Sequence, residues 1–292
     1  MHDPVHGPRV QPFFHADSNT WSYVVADPAT AQAAIIDPVL DFDAKSGRTA
    51  TTSAETLLAH VATLGLDVRW ILETHAHADH LSAGDWLRAR LPGATLAIGD
   101  GIRVVQVAMR SLFNLGAQFP VDGSQFDHLF EDGERFAIGA LAARVIAVPG
   151  HTSDSCAYLI GDALFTGDSL FMPDSGTARC DFPGGDAHTL FRSIQRLYEL
   201  PDDTRVFVCH DYAPGGRTLA CQTTIGDQKR DNIHVREGAD EAAFVALRQA
   251  RDATLATPAL MLPAVQVNLR AGRLPPAEDN GVRYLKIPLD QL

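Results

Sequence analysis

Three histidines and an aspartate fall within six residues, His75-Ala76-His77-Ala78-Asp79-His80, directly behind the apolar run Val68-Arg69-Trp70-Ile71-Leu72. That density of ionisable rings makes a poor solvated turn. Imidazole and carboxylate are the donor set for Zn, Fe and Mn. The run therefore reads as a metal-binding loop at the end of a buried strand. Three other polar residues are placed the same way. His151 follows Val145-Ile146-Ala147-Val148-Pro149-Gly150, Asp168 follows Ala163-Leu164-Phe165-Thr166-Gly167, and His210 follows Arg205-Val206-Phe207-Val208-Cys209. Singly, each has an ordinary explanation: a hydrogen-bonded strand-end histidine, or an aspartate closing a turn. Beside the H-x-H-x-D-H run they become candidates, because strand ends on one sheet rim can hold ligands together.

The elements around these residues alternate between strand and helix. Ser22 to Ala26 and Ala33 to Asp37 read as two strands split by the turn Asp27-Pro28-Ala29-Thr30. The residues before them are proline-rich and expected to run extended. Leu40 to Thr52 is polar and reads as a loop. Thr52 and Glu55 fit a capping box for a helix carrying Leu57, Leu58, Val61 and Leu64. A short helix through Trp86 and Leu87 follows the histidine run. Gly133 to Ala147 reads as sheet, and Cys156 to Ile160 with Ala163 to Thr166 as a hairpin. Asp186 is placed to cap a helix with Leu190, Ile194, Leu197 and Tyr198 on its apolar face. Glu241 to Leu255 reads as helix, with Phe244, Leu247 and Leu255 as its apolar positions. The tail from Ala271 is rich in Pro, Gly and Asn and is expected on the surface. The pattern is that of one α/β domain over residues 1–292 with a C-terminal extension.

Composition narrows the function classes. Lys and Arg total 24 against 36 Asp and Glu, a net charge of −12. No basic footprint for nucleic acid or an anionic membrane is present, and no apolar run is long enough for a spanning helix. The start, Met-His-Asp-Pro-Val-His-Gly-Pro, shows no secretory signal. The four cysteines form no C-x-x-C pair and no disulfide framework, so a reducing cytoplasm is expected.

In their order along the chain, His75-Ala-His77-Ala-Asp79-His80, His151 in P-G-H-T, Asp168 in T-G-D and His210 before Asp-Tyr resemble the five-part pattern of the metallo-β-lactamase superfamily. The resemblance implies an αββα sandwich with the metal between two sheets at their shared edge. It covers a core of about residues 20–235, leaving about 236–292 as the extension. Seven candidate ligands can hold two metals, as the hydroxyacylglutathione hydrolases (glyoxalase II) do, with a bridging hydroxide as nucleophile. A dinuclear zinc hydrolase is therefore one alternative, and a non-catalytic metal-binding module is another.

Further stretches are similar to the persulfide dioxygenases: Ile36-Asp37-Pro38-Val39, Glu73 to His80, Gly176-Thr177-Ala178-Arg179-Cys180-Asp181-Phe182 and Cys209-His210-Asp211-Tyr212. The similarity to bacterial β-lactamase-like proteins of sulfide detoxification operons extends to Asp41-Phe42-Asp43-Ala44-Lys45-Ser46-Gly47-Arg48-Thr49 and to Gln266-Val267-Asn268. It implies oxidation of glutathione persulfide with O₂ to sulfite and glutathione. One Fe(II) per chain would be held by His75, His151 and Asp168, with Zn an alternative occupant in purified protein. His77, Asp79, His80 and His210 would surround it or hold a second metal. Asp79, His80 and Tyr212 would be catalytic, and Arg179 and Tyr212 would bind substrate. Cys180 stands where mitochondrial relatives have Thr and is expected to be inert. A cytoplasmic homo-oligomer, dimer or tetramer, is expected.

Overall fold

Period-two alternation divides each central strand between two cores. The computed structural model describes residues 7–291, so the first six residues of the expected extended start lie outside it. One sheet runs in the order β1 (Arg9–His15), β2 (Thr20–Ala26), β3 (Gln32–Ile36), β6 (Asp67–Leu72), β8 (Thr95–Gly99) and β9 (His128–Phe130). In β2 and β3, Tyr23, Val25, Ala34 and Ile36 face one core while Val24, Ala26, Ala33 and Ile35 face another. The second sheet is β10 (Arg135–Ile138), β11 (Leu141–Ala147), β12 (Cys156–Ile160), β13 (Ala163–Phe165), β14 (Arg205–Phe207) and β15 (Gln222–Thr224). Its Val145, Tyr158, Phe165 and Phe207 meet the first sheet's Tyr23, Ile36 and Leu72, so the two sheets pack face to face.

Helices cover both outer faces. α1 (Thr52–Thr63), α2 (Gly84–Arg88), α3 (Ile102–Leu112) and α7 (Met261–Asn268) bury Leu57, Leu87, Ile102 and Val267 against the first sheet. α4 (Ala187–Leu197), α5 (Ile225–Asp231) and α6 (Glu241–Asp252) bury Leu190, Ile194, Ile225 and Phe244 against the second. This is the expected αββα sandwich. The sheets join at one edge, where the Trp21 N–H donates to the Cys209 carbonyl at 2.7 Å and Thr20 bridges to His210. No helix among the described residues is long and apolar enough to cross a membrane.

Four local expectations are corrected. Leu40 to Thr52 is not a loop throughout: β4 (Val39–Asp43) and β5 (Arg48–Ala50) form a hairpin, and β7 (Leu81–Ser82) pairs with the other edge of β4. Asp43 accepts the Lys45 N–H and the Ser46 hydroxyl in its turn, and Gly47 supplies a φ of +67° there. The capping box is absent. Asp41 of β4 instead accepts the Ser53 N–H and hydroxyl, and the Thr51 hydroxyl donates to Glu55. In α6 it is Val245, Arg248 and Asp252 that join Phe244 in the interior, while Leu247 and Leu255 are exposed. Finally, Ala271 is buried, and the chain surfaces only from Arg273. The helix α7 just before it was hidden from pattern reading by Pro263. That proline falls in the first turn, where a missing N–H does no harm.

Candidate metal centre

The loop after β6 carries His75, His77, Asp79 and His80, and three buried side chains from elsewhere fix its backbone. Asp37, in left-handed conformation at φ 49°, accepts the Thr74 N–H at 2.7 Å and the Thr74 hydroxyl at 2.9 Å. Asp154 accepts the Ala76 N–H at 2.8 Å. Asn268 of α7 donates to the carbonyls of His77 and His80 at 2.8 and 2.9 Å and accepts the Ser82 N–H at 2.8 Å. Sequence reading assigned these three residues no role in the site. Asp37 and Asn268 were signalled by a polar side chain inside an otherwise apolar stretch, Ile36-Asp37-Pro38 and Val267-Asn268-Leu269, and by lying in stretches that carry the family resemblance; Asp154, in Thr152-Ser153-Asp154-Ser155, had neither signal.

The other candidates arrive from the second sheet, past β11, β13 and β14. Two glycines permit the approach. A Cβ on Gly150 (φ +138°) would lie 2.4 Å from the Leu190 backbone of α4, and one on Gly167 (φ +50°) would lie 2.7 Å from Thr74. The result brings His75, His151 and Asp168 together, with one ligand atom of each within 4.8 Å of the others. Asp168 Oδ2 lies 3.5 Å from His151 Nε2 and 4.0 Å from His75 Nε2. His77, Asp79 and His80 form an adjoining cluster within the same limit. His210 sits between the two, with Nε2 3.1 Å from Asp168 Oδ1 and 3.6 Å from Asp79 Oδ2. All seven candidates therefore converge.

The electrostatics follow from burial opposed by neighbours. Burial pushes the His75 ring well below its ordinary pKa, and His77 adds to that. Burial opposes the charged form of His77, but Asp37, 3.0 Å away, outweighs it and raises the ring to about 9. Burial would likewise neutralise Asp168, yet His210 wins and holds the carboxyl below its usual range. The test for a metal is what these atoms lack. His75 Nε2, His77 Nδ1 and His80 Nε2 are buried with no hydrogen-bond partner, while His77 Nε2, His210 Nε2 and Asp168 Oδ1 are buried beside an opposite charge without a well-aligned hydrogen bond. Buried polar atoms left this way are costly, and a cation satisfies them. The residues fit a divalent metal.

The cluster forms part of the wall of a cleft of about 640 Å³ that Phe171, Arg179, Phe182, Tyr212, Arg248 and Arg251 also line. Tyr212 is exposed there, its ring nearly parallel to His210 at 6.1 Å. Arg179 does not present an open fork. Its Nε and Nη2 hold Asp181 at 2.6 and 2.7 Å, and Nη1 donates to the Ala256 carbonyl at 2.7 Å. Arg248 is buried and paired with Asp252. Among the described residues Arg251 is the cleft arginine without a carboxylate partner. Lys229 pairs with Asp202, and Arg230 with Asp227 and Asp231, as a solvated face would. Burial pushes the Cys180 thiol up to about 12, which keeps it protonated and unreactive.

The sequence profile of the metallo-β-lactamase superfamily matches residues 16–210. The chain belongs to the metallo-β-lactamase superfamily. Within it, the chain is 54% identical to a probable metallo-hydrolase of Burkholderia pseudomallei, covering 97% of this chain and 99% of that one. It is 47% identical to a Dictyostelium discoideum protein named glyoxylase B2, over 97% of this chain and 98% of that protein. It is 31% identical to the human mitochondrial persulfide dioxygenase ETHE1, over 68% of this chain and 66% of the human protein. The chain spans 65% of the length of an Agrobacterium fabrum relative described as β-lactamase hydrolase-like, at 54% identity. Among solved structures, ETHE1 from Myxococcus xanthus superposes with a TM-score of 0.72 at 33% identity, covering 91% of this chain and all of that one.

Proposed function

We propose that this superfamily member is a non-haem iron persulfide dioxygenase that oxidises glutathione persulfide with O₂ to sulfite and glutathione. The observation that carries the reading is the convergence of His75, His151 and Asp168, of which His151 and Asp168 line the cleft. Two imidazoles and a carboxylate make the facial set of non-haem Fe(II) oxygenases. Iron held there would supply open positions for a sulfur and for O₂, which redox-inert Zn²⁺ does not exploit. The chain's own residues prepare that point. His151 donates Nδ1–H to the Arg179 carbonyl at 2.7 Å, which leaves Nε2 free as a ligand. His210 keeps Asp168 anionic. Asp79 is engaged by the Thr20 hydroxyl and by His80, each at 3.3 Å, and His77 by Asp37. These contacts support a surrounding role for those four groups and so a single iron. In this reading Tyr212 faces the substrate. With the fork of Arg179 directed to Asp181, Arg251 is the cation available to a glutathione carboxylate.

A dinuclear hydrolase of the glyoxalase II type has a specific observation in its favour. His77, Asp79 and His80 form a second cluster in which His77 Nδ1 and His80 Nε2 lack partners, and the relative named glyoxylase B2 covers 97% of this chain. Metal counting on anaerobically purified protein, paired with oxygen uptake on glutathione persulfide, separates the two. One iron per chain with oxygen uptake is expected. Two zinc ions with thioester hydrolysis and no oxygen uptake would reverse the assignment.

A further inference from the structure

We propose that the buried Arg248–Asp252 pair of α6 is a positioning device for His151, acting through the single peptide group that joins Arg179 to Cys180. The two faces of that group are both occupied. Its N–H, on Cys180, donates to Asp252 Oδ2 at 2.8 Å. Its C=O, on Arg179, accepts from His151 Nδ1 at 2.7 Å. A trans peptide is planar, with N–H and C=O pointing in opposite directions, so fixing one end aims the other. The carboxylate thus sets the direction of the carbonyl. The carbonyl in turn sets which His151 nitrogen carries the proton, and it turns Nε2 toward Asp168, 3.5 Å away. Arg248 completes the frame: Nη2 pairs with Asp252 Oδ1, and Nη1 donates to the Thr177 carbonyl at 3.1 Å.

The placement of the pair argues for this role over a stabilising one. Arg248 is 1% exposed and Asp252 5%. A buried ion pair contributes little net stability, because desolvating two charges offsets their attraction. Among the described residues, the side chains outside the loop that bond the backbone from Thr177 to Asp181 are those of His234, His151, Arg248 and Asp252. Of these, only Asp252 grips the peptide that His151 uses. Helix α6 lies beyond residues 16–210, the part matched by the superfamily profile. The C-terminal segment therefore takes part in building the metal centre.

The inference rests on His151 being a ligand, whichever metal is bound. The test measures Co(II) affinity by competition titration and thermal midpoint by circular dichroism in the same preparations of the full chain. Arg248→Met with Asp252→Leu, close in volume and apolar, removes both buried charges together but leaves the Cys180 N–H and the Thr177 carbonyl unpaired, so the midpoint should fall modestly and unfolding should stay cooperative. The double variant should weaken Co(II) binding by roughly 10–100-fold, the range for losing a ligand-orienting group. Asp252→Ala should weaken it similarly. Asp252→Asn, whose amide oxygen still accepts the Cys180 N–H, should recover most of the affinity. Co(II) affinity within about twofold of the parent in the apolar double variant, or loss of its cooperative unfolding, overturns the proposal. His151→Ala is the benchmark: if it too keeps its affinity, the ligand assignment itself has failed.

Discussion

At Asp168 two effects of burial compete, and the outcome defines the site. Removing the carboxylate from water favours its protonated form, but His210 at 3.1 Å holds it anionic. Anionic Asp168, His75 kept unprotonated by burial, and His151 with Nε2 free form a donor set ready for a cation. Alanine at any of the three should empty the site by elemental analysis while leaving the far-ultraviolet dichroism of the fold in place. His80→Ala should lose only roughly 10–100-fold in metal affinity, because its Nδ1 already faces Asp79. Equal losses at His80 and His75 would instead favour the second metal. Substrate recognition is testable at the same scale. Arg251→Ala should raise KM for glutathione persulfide about 10- to 150-fold, with kcat less affected, as for a charged contact of roughly 1.5–3 kcal/mol made equally in ground and transition states. Arg179→Ala should chiefly lower the thermal midpoint, since its bonds go to Asp181 and Ala256. Steady-state kinetics in which Arg179→Ala carries the KM effect and Arg251→Ala does not would return the role to Arg179.

Elements far apart in the chain meet behind the metal loop. α7 supplies Asn268, whose amide satisfies two carbonyls and one N–H of the loop from His77 to Ser82. Asn268→Ala should cost roughly 1–3 kcal/mol for each buried group left unpaired, and denaturant unfolding with parallel metal titration would record both losses. Past the end of α5, His234 accepts the Thr177 N–H on Nδ1 at 3.0 Å, which requires an unprotonated ring. Burial, with Arg248 and Arg251 nearby, lowers its pKa to about 4. The folded pKa lies below the unfolded value of about 6.5, so its contribution to stability is present above that value and is lost as pH falls toward about 4. Urea midpoints measured from pH 7 to 4 should fall along this window, and His234→Gln, which keeps an acceptor but does not titrate, should flatten that part of the curve. An unchanged pH dependence in the glutamine variant would mean that other groups set the acid limit.

Across the whole molecule, the C-terminal segment is bound into both outer cores. Phe244 and Val245 of α6 join the second sheet's helical layer, while Met261, Val265, Val267 and Leu269 join the first. Burying an aliphatic side chain of this size contributes roughly 1.5–3 kcal/mol, so four of them approach the ~5–15 kcal/mol net stability of a typical domain. Removing residues 236–292 should therefore abolish cooperative unfolding by calorimetry, rather than release an intact core with a missing appendage. Metal binding should act in the opposite direction. An ion present at 1,000 times its dissociation constant adds about 4.1 kcal/mol, so a chelator should lower the thermal midpoint measurably. An unchanged midpoint on chelation would argue that the cluster holds no ion under those conditions.

The sequence by itself picked out the candidate ligands and the strands they follow. H-x-H-x-D-H, His151, Asp168 and His210 each follow a short apolar run, and a run of that kind is legible locally because strand burial imposes its own pattern. The αββα class followed from the superfamily resemblance those motifs carry, and the two-faced alternation along β2 and β3 agrees with it. The helix through Leu190 and Ile194 and its Asp186 cap were legible for the same local reason. What tertiary structure alone decided was how side chains without a periodic signature pair across the fold. Asp37, Asp154 and Asn268 hold the metal loop from 37 to 191 residues away in sequence, from the Asp37–Thr74 contact to the His77–Asn268 contact. Arg179 lines the cleft but gives Nε and Nη2 to Asp181, because a carboxylate two residues on lies within their reach. The cap of α1 came from Asp41, a neighbour only after β4 folds beside the helix. Apart from the Arg179–Asp181 pair, each of these is a hydrogen bond between residues that only the folded chain brings together. Its partner is set by distance in space, and that distance does not exist until the sandwich does.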